Sequence, residues 1–281
     1  MRVYVSVDME GLGGVVALPQ VFAGSSEYER YRKWMTEEVR AAIEGAIEFG
    51  AKKIVVADSH GSMTNLLIEE LPEEIEVITG FPRPVCMVHG IWEGFDAALF
   101  LGYHARKGIR SGVMSHTIAG RIFSYIKIND VEASEFYLNA LVAGFYETPV
   151  ALIAGDVEIC KEAKIRVPQI ETVITKVGIT RFSAKTKTLK RIKKELKEKT
   201  IKALHNVREG KIKPLKVEGE IRLELGFFDP DIPNLLEYLN KVELLDDRRI
   251  VYKAKDIIDA YKMIEIAMIL GIGLQSIIEK K

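Results

Sequence analysis

Two carboxylates, Asp8 and Glu10, stand one residue apart directly after a short β-branched segment, Arg2–Val7. On an extended backbone, side chains two residues apart point to the same side. Carboxylates this close repel each other and raise each other's pKa, and a cation between them removes that cost. A glycine-rich turn at residues 11–14 follows and allows the chain to pass close to such an ion. The pattern predicts a cation site at the end of a strand.

Two histidines likewise follow apolar, strand-like segments later in the chain. His60 follows the buried-type run 53–57, and His104 follows the run 97–101. In sheets of parallel strands, binding sites form beyond the carboxyl ends of the strands. We therefore expect His60 and His104 to lie near Asp8 and Glu10.

Glu135, in a segment with helical spacing at residues 132–143, would complete a set of three carboxylates and two imidazoles with Asp8, Glu10, His60 and His104. Mixed oxygen and nitrogen ligands without thiolate suit catalytic zinc, with cobalt or manganese as substitutes. Five ligands exceed the needs of one open zinc site. Two ions roughly 3.5–4 Å apart, bridged by one carboxylate, would use them all and could hold a hydroxide for hydrolysis.

His116 lies in a loop with Ser115 and is not needed as a ligand if the other five residues bind. It could move protons or stabilise the oxyanion of a tetrahedral intermediate. A loop histidine that caps a turn with Ser115 would give the same pattern equally well. Asp58 similarly has two interpretations, as a group that orients His60 or as a helix cap.

Alternation of strand-like and helical segments predicts an α/β fold, with a parallel or mixed sheet flanked by helices. Residues 1–165 contain every chemically suggestive group and form the expected metal-binding catalytic domain. Residues 166–281 are expected to form a smaller α+β part packed against it. The basic segment 187–207 has apolar residues at helical intervals, which predicts a helix with a solvated outer face.

Composition limits the classes of partner. The 281 residues carry 40 Lys+Arg and 40 Asp+Glu. Without a basic excess, a nucleic-acid partner is not expected.

The apolar run 263–278 is interrupted by Glu265 and Gln275 and is shorter than the ~20 residues of a membrane span. No signal-peptide pattern opens the chain, so we expect a cytoplasmic location. Three Gln amid abundant Lys, Glu and Ile suggest a heat-adapted source.

Sequence motifs of other enzyme classes are absent or incomplete. The chain has no GxxxxGK[ST] phosphate loop and no GxSxG elbow, and its glycine turn lacks the full GxGxxG pattern. Cys86 and Cys160 are expected to be small buried hydrophobes. His89 and His205 are expected to be structural or surface residues.

Five ordered motifs carry a family resemblance: SVDMEG, ADSHG, LGYHA, SHT and SEFYLNA, at residues 6–11, 57–61, 101–105, 115–117 and 134–140. In order and spacing they resemble the zinc-dependent D-aminopeptidases of the DppA type, peptidase family M55. The likeness extends over most of the chain, including residues 224–256.

This resemblance implies a two-zinc site in which Asp8 bridges the ions. Glu10 and His60 would complete one ion, His104 and Glu135 the other, and His116 would be the catalytic residue. It also implies removal of N-terminal residues from short peptides, with D-amino acids in the founding members. The assembly it implies is a ring-shaped homo-decamer whose active sites face an internal chamber.

The leading hypothesis is therefore a metallo-aminopeptidase. The same ligands would also support a two-metal phosphohydrolase, with Arg106 or Arg121 holding the phosphate. A third hypothesis is a non-catalytic oligomeric scaffold that the metals only stabilise.

Overall fold

The computed structural model describes residues 1–278. Residues 279–281, the end of the predicted second part, lie outside the described residues. The strands are β1 (Arg2–Val7), β2 (Lys53–Asp58), β3 (Ile75–Ile78), β4 (Ala97–Tyr103), β5 (Phe123–Ile128), β6 (Val131–Glu132), β7 (Val150–Asp156), β8 (Glu171–Thr180), β9 (Ser183–Thr186), β10 (Ile221–Phe227), β11 (Val242–Asp246) and β12 (Arg249–Ala254). The helices are α1 (Tyr28–Phe49), α2 (Glu135–Phe145), α3 (Val157–Arg166), α4 (Leu189–Arg208), α5 (Asp231–Leu236) and α6 (Ile257–Ile278).

The larger sheet has seven strands in the order β3-β2-β1-β4-β7-β8-β9. All neighbours pair in parallel except β8 and β9, which are antiparallel. Every residue of β4 and of β7 is buried, as expected for strands that are covered on both faces. Helices α1 and α4 pack together against the sheet, while α2 and α3 pack on β7 and its neighbours. The predicted α/β fold with a mixed sheet flanked by helices is confirmed.

A second, antiparallel sheet has the order β11-β12-β10-β5-β6 and carries α5 and α6. Its strands β5 and β6 precede residue 165, whereas β8 and β9 follow that residue and extend the larger sheet. The expected division into 1–165 and 166–281 therefore does not coincide with the division between the sheets. Strand pairing joins segments that are distant in sequence, which local patterns do not reveal. As a division into domains it stays a prediction.

The sequence pattern does not predict α3, β6, β9 or β11. Helix α3 begins directly after β7, where Asp156 caps it by accepting hydrogen bonds from the backbone N–H groups of Glu158 and Ile159, both at 2.9 Å. The helix has no clear apolar stripe, so the sequence shows no helical periodicity there. The sequence also predicts a short helix at residues 66–71 and a turn of helix at residues 92–95. The structure has single 3-10 turns there, Ile68–Glu70 and Ile91–Glu93.

The basic helix α4 buries its apolar side against the rest of the molecule. Ile192, Leu196 and Leu204 are fully buried. The opposite side is exposed and charged, with Lys190, Arg191 and Lys194. At the flank, Lys197 pairs with Glu48 of α1 at 2.9 Å. The prediction of a solvated, charged outer face is confirmed. Among the described helices, none has both the length and the apolar character needed to cross a bilayer.

Two glycines allow the ends of β1 and β4 to approach each other. A Cβ on Gly11 would lie 1.9 Å from the carbonyl oxygen of Tyr103, and one on Gly102 would lie 1.9 Å from that of Asp8. Gly102 also has a φ of +66°, a conformation that glycine adopts at little cost. The N–H of Gly11 donates to the Gly102 carbonyl at 2.7 Å. This contact brings the segment after β1 against the segment that leads to His104.

Candidate metal centre

Three adjacent strands deliver four of the predicted ligands. Asp8 and Glu10 follow β1, His60 follows β2 and His104 follows β4. Strand β1 lies between β2 and β4 and pairs in parallel with both. Their carboxyl ends therefore meet at one edge of the sheet, and the four side chains converge there as the sequence pattern predicted.

The carboxylate of Asp8 lies at the centre of this cluster. Its Oδ1 is 3.1 Å from His60 Nδ1, and its Oδ2 is 3.4 Å from His104 Nε2. Glu10 Oε2 lies 2.9 Å from the same His60 nitrogen, and Glu135 Oε2 lies 3.3 Å from the same His104 nitrogen. One carboxylate thus faces two separate pairs of ligand-type atoms, which is the position of a bridging ligand.

His116 joins the cluster on the side of Glu135. Its Nε2 lies 3.8 Å from Glu135 Oε1, and its ring stacks on that of His104 with 4.3 Å between centroids. The structure thus forms two groups of three potential metal ligands, each with its ligand atoms within 4.8 Å of one another. One is Asp8, Glu10 and His60, and the other is His104, His116 and Glu135. All six predicted site residues are in the cluster, although His116 is placed as a potential ligand as well as a potential proton carrier.

Three potential metal-ligand atoms at the centre have no hydrogen-bond partner. Asp8 Oδ2, Glu10 Oε2 and His104 Nε2 are all buried without one, because their close contacts are not aligned for hydrogen bonding. An unpaired buried polar atom costs about 1–3 kcal/mol. Bound cations would satisfy all three atoms, and this mixture of carboxylate oxygens and imidazole nitrogens suits zinc. The donor set therefore fits a metal centre.

Backbone carbonyls fix the orientation of all three imidazoles. In each ring one nitrogen lies about one hydrogen-bond length from a carbonyl oxygen, and the other nitrogen faces the carboxylates. The pairs are His60 Nε2 with Val21 at 2.9 Å, His104 Nδ1 with Ala105 at 3.0 Å, and His116 Nδ1 with Met114 at 2.9 Å. A carbonyl can only accept, so the neutral ring carries its proton on that side. This is the usual arrangement of metal-binding histidines, whose remaining nitrogen is left as the ligand.

Burial and mutual charge shift the pKa values within the cluster. Burial and the neighbouring Glu10 raise the pKa of Asp8 to about 8. Burial lowers the pKa of His104, but Glu135 and Asp8 outweigh it and raise that pKa to about 10. Burial and the adjacent His104 lower the pKa of His116. The acids and imidazoles therefore share protons that a divalent cation would displace, whereas His116 favours the neutral form.

The loop that carries Glu10 is held by a lysine that the sequence pattern did not single out. Lys176, on β8, is only 1% exposed. Its ammonium donates to the carbonyl oxygens of Glu10, Leu12 and Val15, with a distance of 2.9 Å to Leu12. A single lysine within the otherwise apolar and threonine-rich run of β8 was the only signal in the sequence, but its partners lie more than 160 positions away.

Further side chains hold the same loop. Thr175 Oγ1 donates to the Gly11 carbonyl at 2.6 Å. The N–H of Gly13 donates to Oε1 of Glu38, a fully buried residue of α1, at 3.0 Å. Residues 10–15 belong to no strand or helix, so these side-chain contacts take the place of regular backbone pairing.

Asp58 holds the loop that carries His60. Its Oδ2 accepts a hydrogen bond of 2.8 Å from the N–H of Leu66 and its Oδ1 accepts one of 2.7 Å from the side chain of Asn65, which also donates to the His60 carbonyl at 2.7 Å. Asp58 thus organises the loop after β2, and its role towards the His60 ring stays a prediction.

His89 and His205 lie outside the cluster, as expected. The ring of His89 packs edge-on against Trp92 with centroids 4.6 Å apart, and that of His205 packs against Phe49 at 4.9 Å. Cys86 and Cys160 are buried and free, in agreement with their assignment as small hydrophobes.

A cleft with a volume of about 890 Å³ opens from the metal cluster. Asp8, Glu10, His60, His116 and Glu135 form part of its lining, and most of the remaining lining is apolar. A small peptide could therefore reach the cluster from solvent.

Comparison with known proteins decides the family. A family model described as D-aminopeptidase, Peptidase M55, matches residues 1–266. The chain belongs to this family. A D-aminopeptidase of Bacillus subtilis (strain 168) is 37% identical over 273 residues, which cover 95% of this chain and 98% of that protein. The solved structure of the Zn-dependent D-aminopeptidase DppA from Bacillus subtilis, described as a self-compartmentalizing protease, superposes with a TM-score of 0.92 at 36% identity. The superposition covers 97% of this chain and 98% of the DppA chain.

These findings confirm the expected family and the assignment to metal-dependent aminopeptidases, with zinc as the expected metal. They do not favour the phosphohydrolase or the scaffold. Arg106, one of the two candidate phosphate ligands, forms an ion pair with Glu132. The number of ions and the role of each site residue stay predictions.

Proposed function

We propose that this protein is a two-zinc aminopeptidase that removes the N-terminal residue of short peptides, including peptides of D-amino acids. The observation that supports it most directly is the position of Asp8, whose two carboxylate oxygens face His60 and His104 separately. Membership of the D-aminopeptidase family gives the reaction class.

In this proposal Asp8 would hold both ions. Glu10 and His60 would complete the site of one ion, and His104 and Glu135 would complete that of the other. When bound, the two ions supply Lewis acidity at neutral pH, which polarises a scissile carbonyl and acidifies water.

His116 is the proposed proton carrier. Its side chain is 21% exposed and lines the cleft, so a substrate and water can reach it. Its Nδ1 faces the Met114 carbonyl, which leaves Nε2 as the basic nitrogen. Burial and His104 lower the pKa of His116, so the ring is neutral near neutral pH. A neutral ring can accept a proton from water and pass it to the leaving amine.

We also propose that the chain works as a homo-oligomer in the cytoplasm, with a decamer as the expected size. The solved relative is described as self-compartmentalizing, and a compartment requires several copies of the chain. Light scattering coupled to size-exclusion chromatography measures the subunit count. A monomer at micromolar concentration would contradict this part of the proposal.

The direct test of the activity is release of free amino acid from L- and D-dipeptides, together with zinc analysis of the purified protein. We expect two zinc ions per chain, turnover that a chelator abolishes, and recovery when zinc is returned. Turnover that persists after the zinc has been removed would overturn the proposal.

A further inference from the structure

The cleft beside the metal cluster exposes an unusual number of large apolar side chains at its walls. Leu18, Phe22, Phe81, Phe182 and Ile272 all line it, and each is between 38% and 49% exposed. Single exposed apolar residues are ordinary on protein surfaces, but several gathered around one concave site indicate binding. These residues come from four separate parts of the chain and converge only in the folded structure.

Charge is distributed unevenly along the same cleft. Its acidic lining residues are the three carboxylates of the metal cluster, Asp8, Glu10 and Glu135, and its basic ones are Arg121 and Arg181. Away from the cluster, the described lining therefore offers no carboxylate that could receive a cationic side chain. It favours apolar side chains over cationic ones.

Apolar walls stand next to both halves of the metal centre. The segment of Leu18 and Phe22 contacts the half that contains His60. The carbonyl oxygen of Val21, which lies between them, is 2.9 Å from His60 Nε2. Ile118, another lining residue, is tied to the other half, because its N–H donates to Glu135 Oε1 at 2.7 Å. A peptide with its scissile carbonyl at the cluster would meet an apolar wall on each side of that bond.

We propose that the cleft is an apolar subsite which selects short peptides with bulky apolar residues on both sides of the scissile bond. The inference rests on the proposed aminopeptidase function and adds the substrate class to it. A pocket that accepts additional methylene groups discriminates by roughly 10–200-fold per group. The preference for leucine over alanine is therefore expected to be at least about 10-fold in kcat/KM.

The first test compares Ala-Ala, Leu-Leu and Lys-Lys dipeptides, in both the L and the D series, with the zinc-loaded full-length protein. We expect Leu-Leu to exceed Ala-Ala by at least about 10-fold in kcat/KM, and Lys-Lys to fall below Ala-Ala. Equal turnover of Ala-Ala and Leu-Leu would overturn the subsite and leave the aminopeptidase proposal standing.

Variants locate the preference in the cleft. Phe22→Ala and Phe182→Ala are each expected to lower the ratio of Leu-Leu to Ala-Ala turnover by at least about 3-fold, because each removes apolar contact area. The matched control is Phe145→Ala, since Phe145 is equally exposed at 47% but lies at the end of α2, outside the cleft lining. A ratio measured within one variant is insensitive to partial loss of folded protein. An unchanged ratio in both cleft variants would contradict the proposal.

A binding measurement separates failure of the subsite from failure of the proposed function. Leucinol, alaninol and lysinol cannot be hydrolysed, and calorimetry measures their affinities whether or not the protein cleaves peptides. We expect leucinol to bind at least about 10-fold more tightly than alaninol, and lysinol to bind no more tightly than alaninol. No turnover with this order of affinities would refute the aminopeptidase proposal alone, whereas equal affinities would refute the subsite.

Discussion

The ammonium of Lys176 donates a hydrogen bond of 2.9 Å to the carbonyl oxygen of Leu12, and so joins strand β8 to the loop that carries Glu10. The same nitrogen also bonds the carbonyls of Glu10 and Val15. Three carbonyls of one irregular loop therefore meet a single buried cation. A hydrogen bond to a charged group contributes about 1.5–3 kcal/mol, against about 1 kcal/mol for a neutral one. This lysine therefore holds the position of Glu10 with respect to His60.

Replacing Lys176 by methionine, which has a similar length but no donors, should weaken the metal centre. We expect zinc affinity to fall by about 10–100-fold, as for other groups that support metal ligands. Competition with a chelator measures it. Lys190→Met is the control, since Lys190 lies on the exposed side of α4.

If the Lys176 variant does not fold, Thr175→Val gives a milder test. It removes the 2.6 Å bond to the Gly11 carbonyl and keeps the shape of the side chain. Unchanged zinc affinity in both variants would show that the loop keeps its shape without these bonds.

Most of the ligands could be predicted from sequence because they follow apolar strands. Asp8, His60 and His104 stand at the ends of segments whose composition reveals buried strands, and parallel strands place their ends together. Glu135 needed the family resemblance as well, since a single glutamate in the first turn of a helix is common simply because it interacts favourably with the helix dipole.

The groups that support the ligands could not be predicted, because their partners are distant in sequence. Lys176 and Leu12 are 164 positions apart, and Glu38 and Gly13 are 25 apart. The same limit applies to β5. Residues 121–128 read as a strand in the sequence, but the pairing of Ile128 with Leu223 of β10 joins distant parts of the chain. Local periodicity indicates which face is buried and gives no information on what covers it.

Replacement of Asp8 and replacement of Glu135 should remove different numbers of zinc ions. If Asp8 bridges, Asp8→Asn weakens both sites, so zinc content should fall from two ions per chain to fewer than one. Glu135→Gln should lose only the ion held with His104 and retain about one. Metal analysis after dialysis measures both, and activity should fall at least about 100-fold in each case. Retention of a full ion by the Asp8 variant would contradict the bridging role.

His116→Asn tests whether this residue carries protons or binds metal. As a proton carrier its loss should lower kcat by about 10²–10⁴-fold, with zinc content unchanged and KM little affected. His116 lies in one ligand group with His104 and Glu135, so loss of one zinc ion in this variant would instead identify it as a ligand. Single-turnover kinetics together with metal analysis distinguish the two outcomes.

The buried carboxyl of Glu38 should make stability depend on pH. Burial raises its pKa from 4.5 to about 7, while the N–H of Gly13 and the charge of Lys176 oppose that shift. Because the folded-state pKa lies above the unfolded one, its stabilising contribution is present below about pH 4.5 and is lost as pH rises through about 7.

Glu38→Gln removes this dependence. Relative to the native protein, the variant should gain up to about 3 kcal/mol in unfolding free energy between pH 4.5 and pH 7.5. Denaturant unfolding of both proteins across this range measures the difference, and effects of pH on the metal centre cancel to first order. Glu44→Gln, at an exposed position of the same helix, controls for the loss of one negative charge. A difference between Glu38→Gln and the native protein that does not change with pH would show that Glu38 stays ionised throughout this range.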